Sequence, residues 1–81
     1  EKVLSENEYI FSGRLEIYYI NNKYDLNLPE GEYNTLGGFI TANHEDIPTQ
    51  GEKLVIDGFE FTIQKSSSAK IEEVVLKVVN K

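Results

Sequence analysis

The sequence predicts an α+β domain in which two helices cover one face of a mainly antiparallel sheet, a two-layer sandwich with the element order ββααβββ. Three observations support this prediction. Apolar and polar residues alternate in the last third of the chain, Asp57-Gly58 separates two such runs, and the middle of the chain changes to a helical spacing of apolar residues. Alternation is typical of strands with one buried face, and Asp-Gly between two strands predicts a tight hairpin.

The first third of the chain predicts a hairpin followed by a short helix. The apolar runs 3–4 and 9–11 are separated by polar residues, and Ser12-Gly13 ends the second run. From Arg14 onward the apolar residues share one side of a predicted helix, and they are Leu15, Ile17, Ile20 and Tyr24. Because residues 21–22 are asparagines, which disfavour helix interiors, we expect this helix to depend on tertiary packing.

The segment Glu32–Ile40 predicts the second helix. Asn34 or Thr35 is suited to cap its N-terminus, and Glu32 complements the helix dipole. The predicted buried stripe consists of Leu36, Phe39 and Ile40. His44-Glu45-Asp46 forms a polar exit, and Ile47-Pro48 stops the helix.

Two consecutive glycines, Gly37 and Gly38, lie inside this predicted helix, where each costs about 1 kcal/mol relative to alanine. In a structural interpretation, the glycines let the helix pack closely against a strand or against the other helix. In a functional interpretation, they let an anion reach the backbone N–H groups at the helix start. The sequence has neither a Gly-x-Gly-x-x-Gly motif nor a Walker lysine, so it favours close packing.

The last third of the chain predicts three strands. Residues 53–56 and 59–63 flank Asp57-Gly58, and the second of these strands alternates around Phe59, Phe61 and Ile63. Residues 66–69 predict a flexible loop tip. Residues 71–79 form the longest apolar run, and its continuous centre predicts a central position in the sheet.

Charge and composition exclude several classes of function. The 81-residue chain has a formal charge of −6; residues 1–46 hold nine acidic and three basic side chains, and residues 47–81 hold five of each. An acidic surface without a basic stripe repels phosphate, so we expect no nucleic-acid partner. No apolar run approaches the roughly 18 residues of a membrane span, so we expect no membrane insertion by this domain. The absence of cysteine excludes disulfides and thiol catalysis.

The sequence offers no recognisable catalytic set and no metal site. His44 is the only histidine, and no Gly-x-Ser-x-Gly motif presents a nucleophilic serine. His44-Glu45-Asp46 lacks the second histidine of a zinc motif and is better explained as a solvated helix end. We therefore predict no catalytic residues, no metal ligands and no enzyme activity.

Arg14 and the tyrosines are the side chains with an open role. Arg14, the only arginine, either pairs with a carboxylate to fix the corner between strand and helix, or contacts a ligand or partner. The five tyrosines, including Tyr18-Tyr19, exceed what a small core needs, so we expect at least one at the surface, where it can contact a partner.

The sequence resembles the transporter-associated domain of the CorC/HlyC family over nearly its whole length. The matching residues, in order, are Gly13-Arg14-Leu15, Leu26-x-Leu28-Pro29, Tyr33-Asn34-Thr35-Leu36-Gly37-Gly38, Ile47-Pro48-x-x-Gly51-Glu52, Asp57-Gly58-Phe59-x-Phe61 and Lys70-Ile71-Glu72. The segment 33–38 is the most specific part. Two departures are visible: Ser12 replaces an acid that is frequent before the glycine, and Glu45-Asp46 replace a common Gly-basic pair.

The resemblance implies a place and a role that the residues alone do not give. Such domains follow a membrane domain and a pair of CBS modules in bacterial proteins linked to magnesium and cobalt efflux, some of them named hemolysins. We therefore expect residues 1–81 to be a single domain, cut from such a protein, at the cytoplasmic face of the inner membrane. The expected function is regulatory and non-catalytic, through contacts with other domains of the parent transporter or through self-association.

The resemblance also suggests an alternative function. The family fold is similar to part of an FAD-binding fold, so a flavin- or adenine-nucleotide-binding module is the second hypothesis, although fold analogy is weak support for function. The candidate cofactor-binding residues are Gly37, Gly38 and Arg14. The residues predicted to carry the structural motif are Gly13, Arg14, Tyr33, Asn34, Thr35, Leu36, Gly37, Gly38, Asp57 and Gly58.

Overall fold

The alternating apolar residues at both ends of the chain build one five-stranded sheet in the computed structural model, which describes residues 1–79. In chain order the elements are β1 (Lys2–Ser5), β2 (Glu8–Ser12), α1 (Ile17–Tyr24), α2 (Leu36–His44), β3 (Lys53–Ile56), β4 (Phe59–Ser66) and β5 (Ile71–Val78). The strands lie in the order β1-β2-β5-β4-β3, and every pairing between them is antiparallel. The predicted class and element order are confirmed.

Strand β5 lies at the centre of the sheet, as its apolar run predicts. Val74 of this strand faces Phe11 of β2 on one side and Ile63 of β4 on the other. All three side chains are at most 1% exposed. Because side chains alternate across a strand, their neighbours Ile10 and Val75 point to the opposite face, where they are only half-buried. The sheet is thus buried on one face, as predicted.

Helix α1 begins later than the sequence predicts. The N–H of Leu15 donates to the carbonyl of Ser12 at 3.2 Å, and Glu16 is extended, so a turn precedes the first helical residue, Ile17. Ile17 and Ile20 are buried, while Leu15 packs against the core from the turn. The predicted start at Arg14 is wrong because the chain must first turn away from the end of β2, but the predicted apolar side is confirmed.

Helix α2 begins at Leu36, directly after one of its two predicted caps, and this start decides the meaning of the two glycines. Of the two predicted caps, the structure uses Thr35, whose hydroxyl accepts the N–H of Gly38 at 3.1 Å. Gly37 and Gly38 therefore lie in the first turn, so the expected cost of two interior glycines does not apply in full. Glu32 lies three residues before the cap, and the first turn itself holds no acidic residue.

The turns fix the remaining boundaries. Asp57 (φ 51°) and Gly58 (φ 84°) both have positive φ, as a two-residue hairpin turn of type I′ requires. Strand β4 extends to Ser66, beyond its predicted end. The segment that was expected to be a flexible loop tip is a tight turn, in which the hydroxyl of Ser67 accepts the N–H groups of Ala69 and Lys70, both at 3.2 Å.

Candidate functional site

Gly13 joins three elements at one point. Its N–H donates to the carbonyl of Glu72 in β5 at 3.0 Å, and its own carbonyl accepts the N–H of Gly37 in α2 at 2.9 Å. A Cβ atom at Gly13 would lie 2.2 Å from the carbonyl oxygen of Ile71, and one at Gly37 would lie 3.0 Å from the carbonyl oxygen of Gly13. Close backbone packing therefore explains why glycine stands at both positions.

The first turn of α2 has no backbone donor left for an anion. The N–H groups of its first three residues would be free at an uncapped helix start. Here these three are occupied, by the pairs Leu36 N–H with Leu15 O (2.8 Å), Gly37 N–H with Gly13 O (2.9 Å) and Gly38 N–H with Thr35 Oγ1 (3.1 Å), and the N–H of Phe39 makes the first bond within the helix, to Thr35 O at 3.0 Å. The functional interpretation, in which an anion binds backbone N–H groups at the helix start, therefore lacks the hydrogen-bond donors that it requires.

A groove of about 600 Å³ nevertheless lies beside this turn. Its lining residues come from the β2–α1 corner, the exposed side of α2, and the β4–β5 turn. They are Gly13, Arg14, Thr35, Gly37, Gly38, Thr41, Ala42, Ile47, Ala69, Lys70 and Ile71. The three predicted cofactor-binding candidates, Gly37, Gly38 and Arg14, therefore lie on one surface. The contribution of residues 69–71 was missed, because only the strand order brings β5 next to Gly13.

Arg14 and Lys70 are the only charged residues that line the groove. Both side chains are exposed, and Arg14 forms no salt bridge with any residue in the range 1–79. The expected pairing of Arg14 with a carboxylate at the corner is wrong, since backbone hydrogen bonds of Gly13 hold this corner instead. The groove is thus a cationic surface in a chain whose net charge is −6.

The other residues of the predicted motif stabilise the fold around the groove. Tyr33 packs its ring against Phe39 with 5.2 Å between centroids. The carbonyl of Asn34 accepts the N–H of Ile17 at 2.8 Å, so the segment before α2 also supports the start of α1. Asp57 and Gly58 form the β3–β4 hairpin turn and do not line the groove.

His44 ends α2 and contacts the loop that leads to β3. Its Nε2 lies 3.2 Å from a carboxylate oxygen of Glu52, and its Nδ1 lies 3.1 Å from the carbonyl oxygen of Asp46. Both ring nitrogens thus face oxygen atoms of the protein. Within residues 1–79, no group of three or more His, Cys, Asp or Glu side chains is placed to hold a metal ion. The N–H of Thr49 first, and then His44, lower the pKa of Glu52.

Glu1 forms a second polar cluster that the sequence did not indicate. Its carboxylate accepts hydrogen bonds from the hydroxyls of Tyr24 and Tyr19, the latter at 2.8 Å, and pairs with the ammonium of Lys23 at 3.0 Å. These contacts, led by the bond from Tyr24 and followed by Lys23, lower the pKa of Glu1 to about 2. No local pattern reveals the cluster, because its members lie 18 to 23 residues from Glu1.

Tyr18 is 68% exposed, which confirms that at least one tyrosine lies at the surface. Among the helices described here, none has the length and apolar character that crossing a bilayer requires.

Fold and groove together define a class of protein domain: a small two-layer α+β module that carries a groove lined by small and apolar residues and by two basic ones. The model of the family described as the CorC/HlyC transporter-associated domain matches residues 2–80, and the chain belongs to this family.

Known proteins are similar to this chain both in sequence and in structure. The chain is 30% identical over 59 residues to the magnesium and cobalt efflux protein CorC of Buchnera aphidicola subsp. Acyrthosiphon pisum, a match that covers 73% of this chain and 20% of that protein. The transporter-associated CorC/HlyC domain of Nitrosomonas europaea superposes with a TM-score of 0.80 at 26% identity, covering 96% of this chain and 93% of that one.

A second solved structure, the transporter-associated domain of a CBS domain protein from Porphyromonas gingivalis, superposes with a TM-score of 0.79 at 26% identity and covers 98% of this chain and 97% of that one. That solved chain is almost entirely the matched domain, so the Porphyromonas domain folds without the rest of its parent protein. The present chain spans about a fifth of the length of the Buchnera relative.

Proposed function

We propose that this domain is a non-catalytic accessory domain of a magnesium- and cobalt-efflux membrane protein of the hemolysin-like class, and that it regulates transport through protein contacts. The observation that carries the proposal is the family match over residues 2–80, with a CorC efflux protein among the relatives. In this proposal the domain lies at the cytoplasmic face of the bacterial inner membrane and is connected to CBS modules, as the name of the Porphyromonas relative suggests.

A domain of this kind acts by binding one state of its parent more tightly than another. A contact with equal affinity for both states does not shift the equilibrium between them. Regulation therefore requires a surface whose partner is accessible in only one of the two states. Contacts between domains of one chain are typically modest in area and polar in character. The basic groove and the exposed Tyr18 are surfaces of that kind.

Deletion of the domain from its parent protein tests the proposal. We expect the deletion to change the tolerance of cells to Mg²⁺ or Co²⁺, with the parent present in the membrane at an unchanged level. The matched control is the full-length parent with Lys53→Ala, a change at an exposed position outside the groove. Unchanged ion tolerance at equal membrane levels contradicts the regulatory role.

A flavin- or adenine-nucleotide-binding module is the second candidate. One observation favours it: Arg14, Gly37 and Gly38 line the same groove. The occupied N–H groups of the first helical turn weigh against it, because a phosphate finds no free backbone donor there. Titration of FAD, FMN, ATP and AMP, followed by amide chemical shifts, tests it. Shifts at Gly37 and Gly38 support this candidate, and the absence of shifts at millimolar ligand removes it.

A further inference from the structure

Small residues make up much of the groove lining. Gly38 and Ala42 of α2 present little side chain, and Ala69 in the β4–β5 turn does the same. Ile47 adds a partly exposed apolar side chain to the lining, whereas Ile71 is only 2% exposed and belongs to the core. The groove volume of about 600 Å³ falls in the range of pockets that hold ligands. An apolar side chain of a partner can therefore enter the groove.

The charged residues that line the groove are both basic. Arg14 and Lys70 line it, and neither Asp46 nor Glu72, the acids adjacent in sequence to lining residues, does so. Local hydrogen bonds hold the backbone of both basic residues. The backbone N–H of Arg14 donates to the hydroxyl of Ser12 at 3.2 Å, and the backbone N–H of Lys70 donates to the hydroxyl of Ser67. A guanidinium binds a carboxylate through two parallel hydrogen bonds, and an ammonium adds a second point of attraction.

The same groove is poorly suited to a nucleotide. No aromatic side chain lines it, so a base has no ring on which to stack. The backbone N–H groups of the first turn are occupied, so a phosphate has only side-chain donors. Carboxylates spaced around an apolar side chain, in contrast, match both the two basic residues and the small and apolar residues that line the groove.

We propose that this groove binds a short acidic peptide segment of a partner protein, with one apolar side chain in the groove and flanking carboxylates on Arg14 and Lys70. This inference rests on the proposed function, because it names the chemistry of the partner that the accessory domain contacts. Binding by the free domain is measured without transport, so failure of one proposal is distinguishable from failure of the other.

Fluorescence anisotropy with synthetic peptides provides the test. The probe is a labelled nonapeptide in which Leu and Val alternate with Glu and Asp, and the comparison peptides carry Gln and Asn, or Lys, at the acidic positions. We expect the acidic peptide to bind, the amide version to bind at least tenfold more weakly, and the lysine version not to bind. Added salt weakens binding, since the charges are exposed.

Two pairs of matched variants locate the interaction. The double variant R14A/K70A is expected to weaken acidic-peptide binding by at least tenfold, while K53A/K65A, which removes the same charge outside the groove, changes it by less than twofold. Ala42→Phe fills the groove and is expected to abolish binding, whereas Asn43→Phe, at the next exposed position of α2, is not.

Circular dichroism shows whether each variant is folded, and amide shifts of the wild-type domain show where the peptide binds. Shifts at Gly38, Ala42 and Ala69 on addition of the acidic peptide support the proposal. It is overturned if no peptide binds at millimolar concentration, if R14A/K70A binds as tightly as the control, or if AMP or FAD shifts these residues and the peptide does not. Self-association through the groove, seen by sedimentation and lost in Ala42→Phe, also overturns it in favour of a second copy.

Discussion

Gly13→Ala is the substitution to which the fold is expected to be most sensitive. The new Cβ would lie 2.2 Å from the carbonyl oxygen of Ile71, where ordinary contacts begin at 3.4 Å. The start of β5 must therefore move by about 1 Å. That movement stretches both hydrogen bonds of Gly13, the 3.0 Å bond to Glu72 and the 2.9 Å bond from Gly37. One methyl group thus disturbs the junction of β2, β5 and α2.

The expected loss of unfolding free energy follows from these contacts. Overpacking costs about 1–3 kcal/mol, and each weakened hydrogen bond costs about 1 kcal/mol. Replacing glycine by alanine also stabilises the folded state by about 0.4–1 kcal/mol, because it lowers the conformational entropy of the unfolded chain. The net destabilisation is about 2–5 kcal/mol, which is a large part of the stability of a domain this small.

Urea unfolding followed by circular dichroism measures this loss, and the midpoint of thermal unfolding is expected to fall by at least about 8 °C. The matched control is Gly38→Ala in the same groove. Its Cβ would lie 3.2 Å from the hydroxyl of Thr35, a side-chain atom that can shift, so we expect a change within about 1 kcal/mol. If Gly13→Ala is no more destabilising than Gly38→Ala, the close approach at Gly13 is not rigid and the reasoning fails.

Three further predictions concern the polar contacts. Thr35→Ala removes the cap that accepts the N–H of Gly38 and should destabilise the domain by about 1 kcal/mol in urea unfolding, while Thr35→Ser should not. Tyr24→Phe should raise the pKa of Glu1 from about 2 toward its ordinary value in a carboxyl NMR titration; an unchanged pKa contradicts the assigned hydrogen bond. The folded-state pKa of Glu52 is lowered, so its contribution to stability is present above its unfolded pKa and lost as the pH falls through the folded value. Glu52→Gln should therefore destabilise the domain at neutral pH and flatten this acid dependence, as followed by urea unfolding from pH 7 to pH 3.

Local patterns were sufficient to predict most of the elements. Alternation around Phe61 predicted β4 and its buried face, and Asp57-Gly58 predicted the hairpin turn, because both depend on residues close in sequence. The start of α1 was less accurate: this helix begins at Ile17 and not at Arg14, whereas α2 begins directly after a predicted cap. A helix start depends on which residues the preceding turn needs, and here the turn after β2 takes up residues 13–16.

The surface beside Gly37 shows the limit of sequence reasoning most clearly. The sequence alone determined the fold class, the two helices, the central position of β5 and the family, since apolar spacing and the segment 33–38 are readable along the chain. Only the tertiary structure decided that Gly13 lies against Ile71, that the first-turn N–H groups are occupied, and that Arg14 and Lys70 share one groove. Apart from the bonds to Thr35, these contacts join residues more than twenty positions apart, and their geometry is set by strand order and helix placement, which no local pattern encodes.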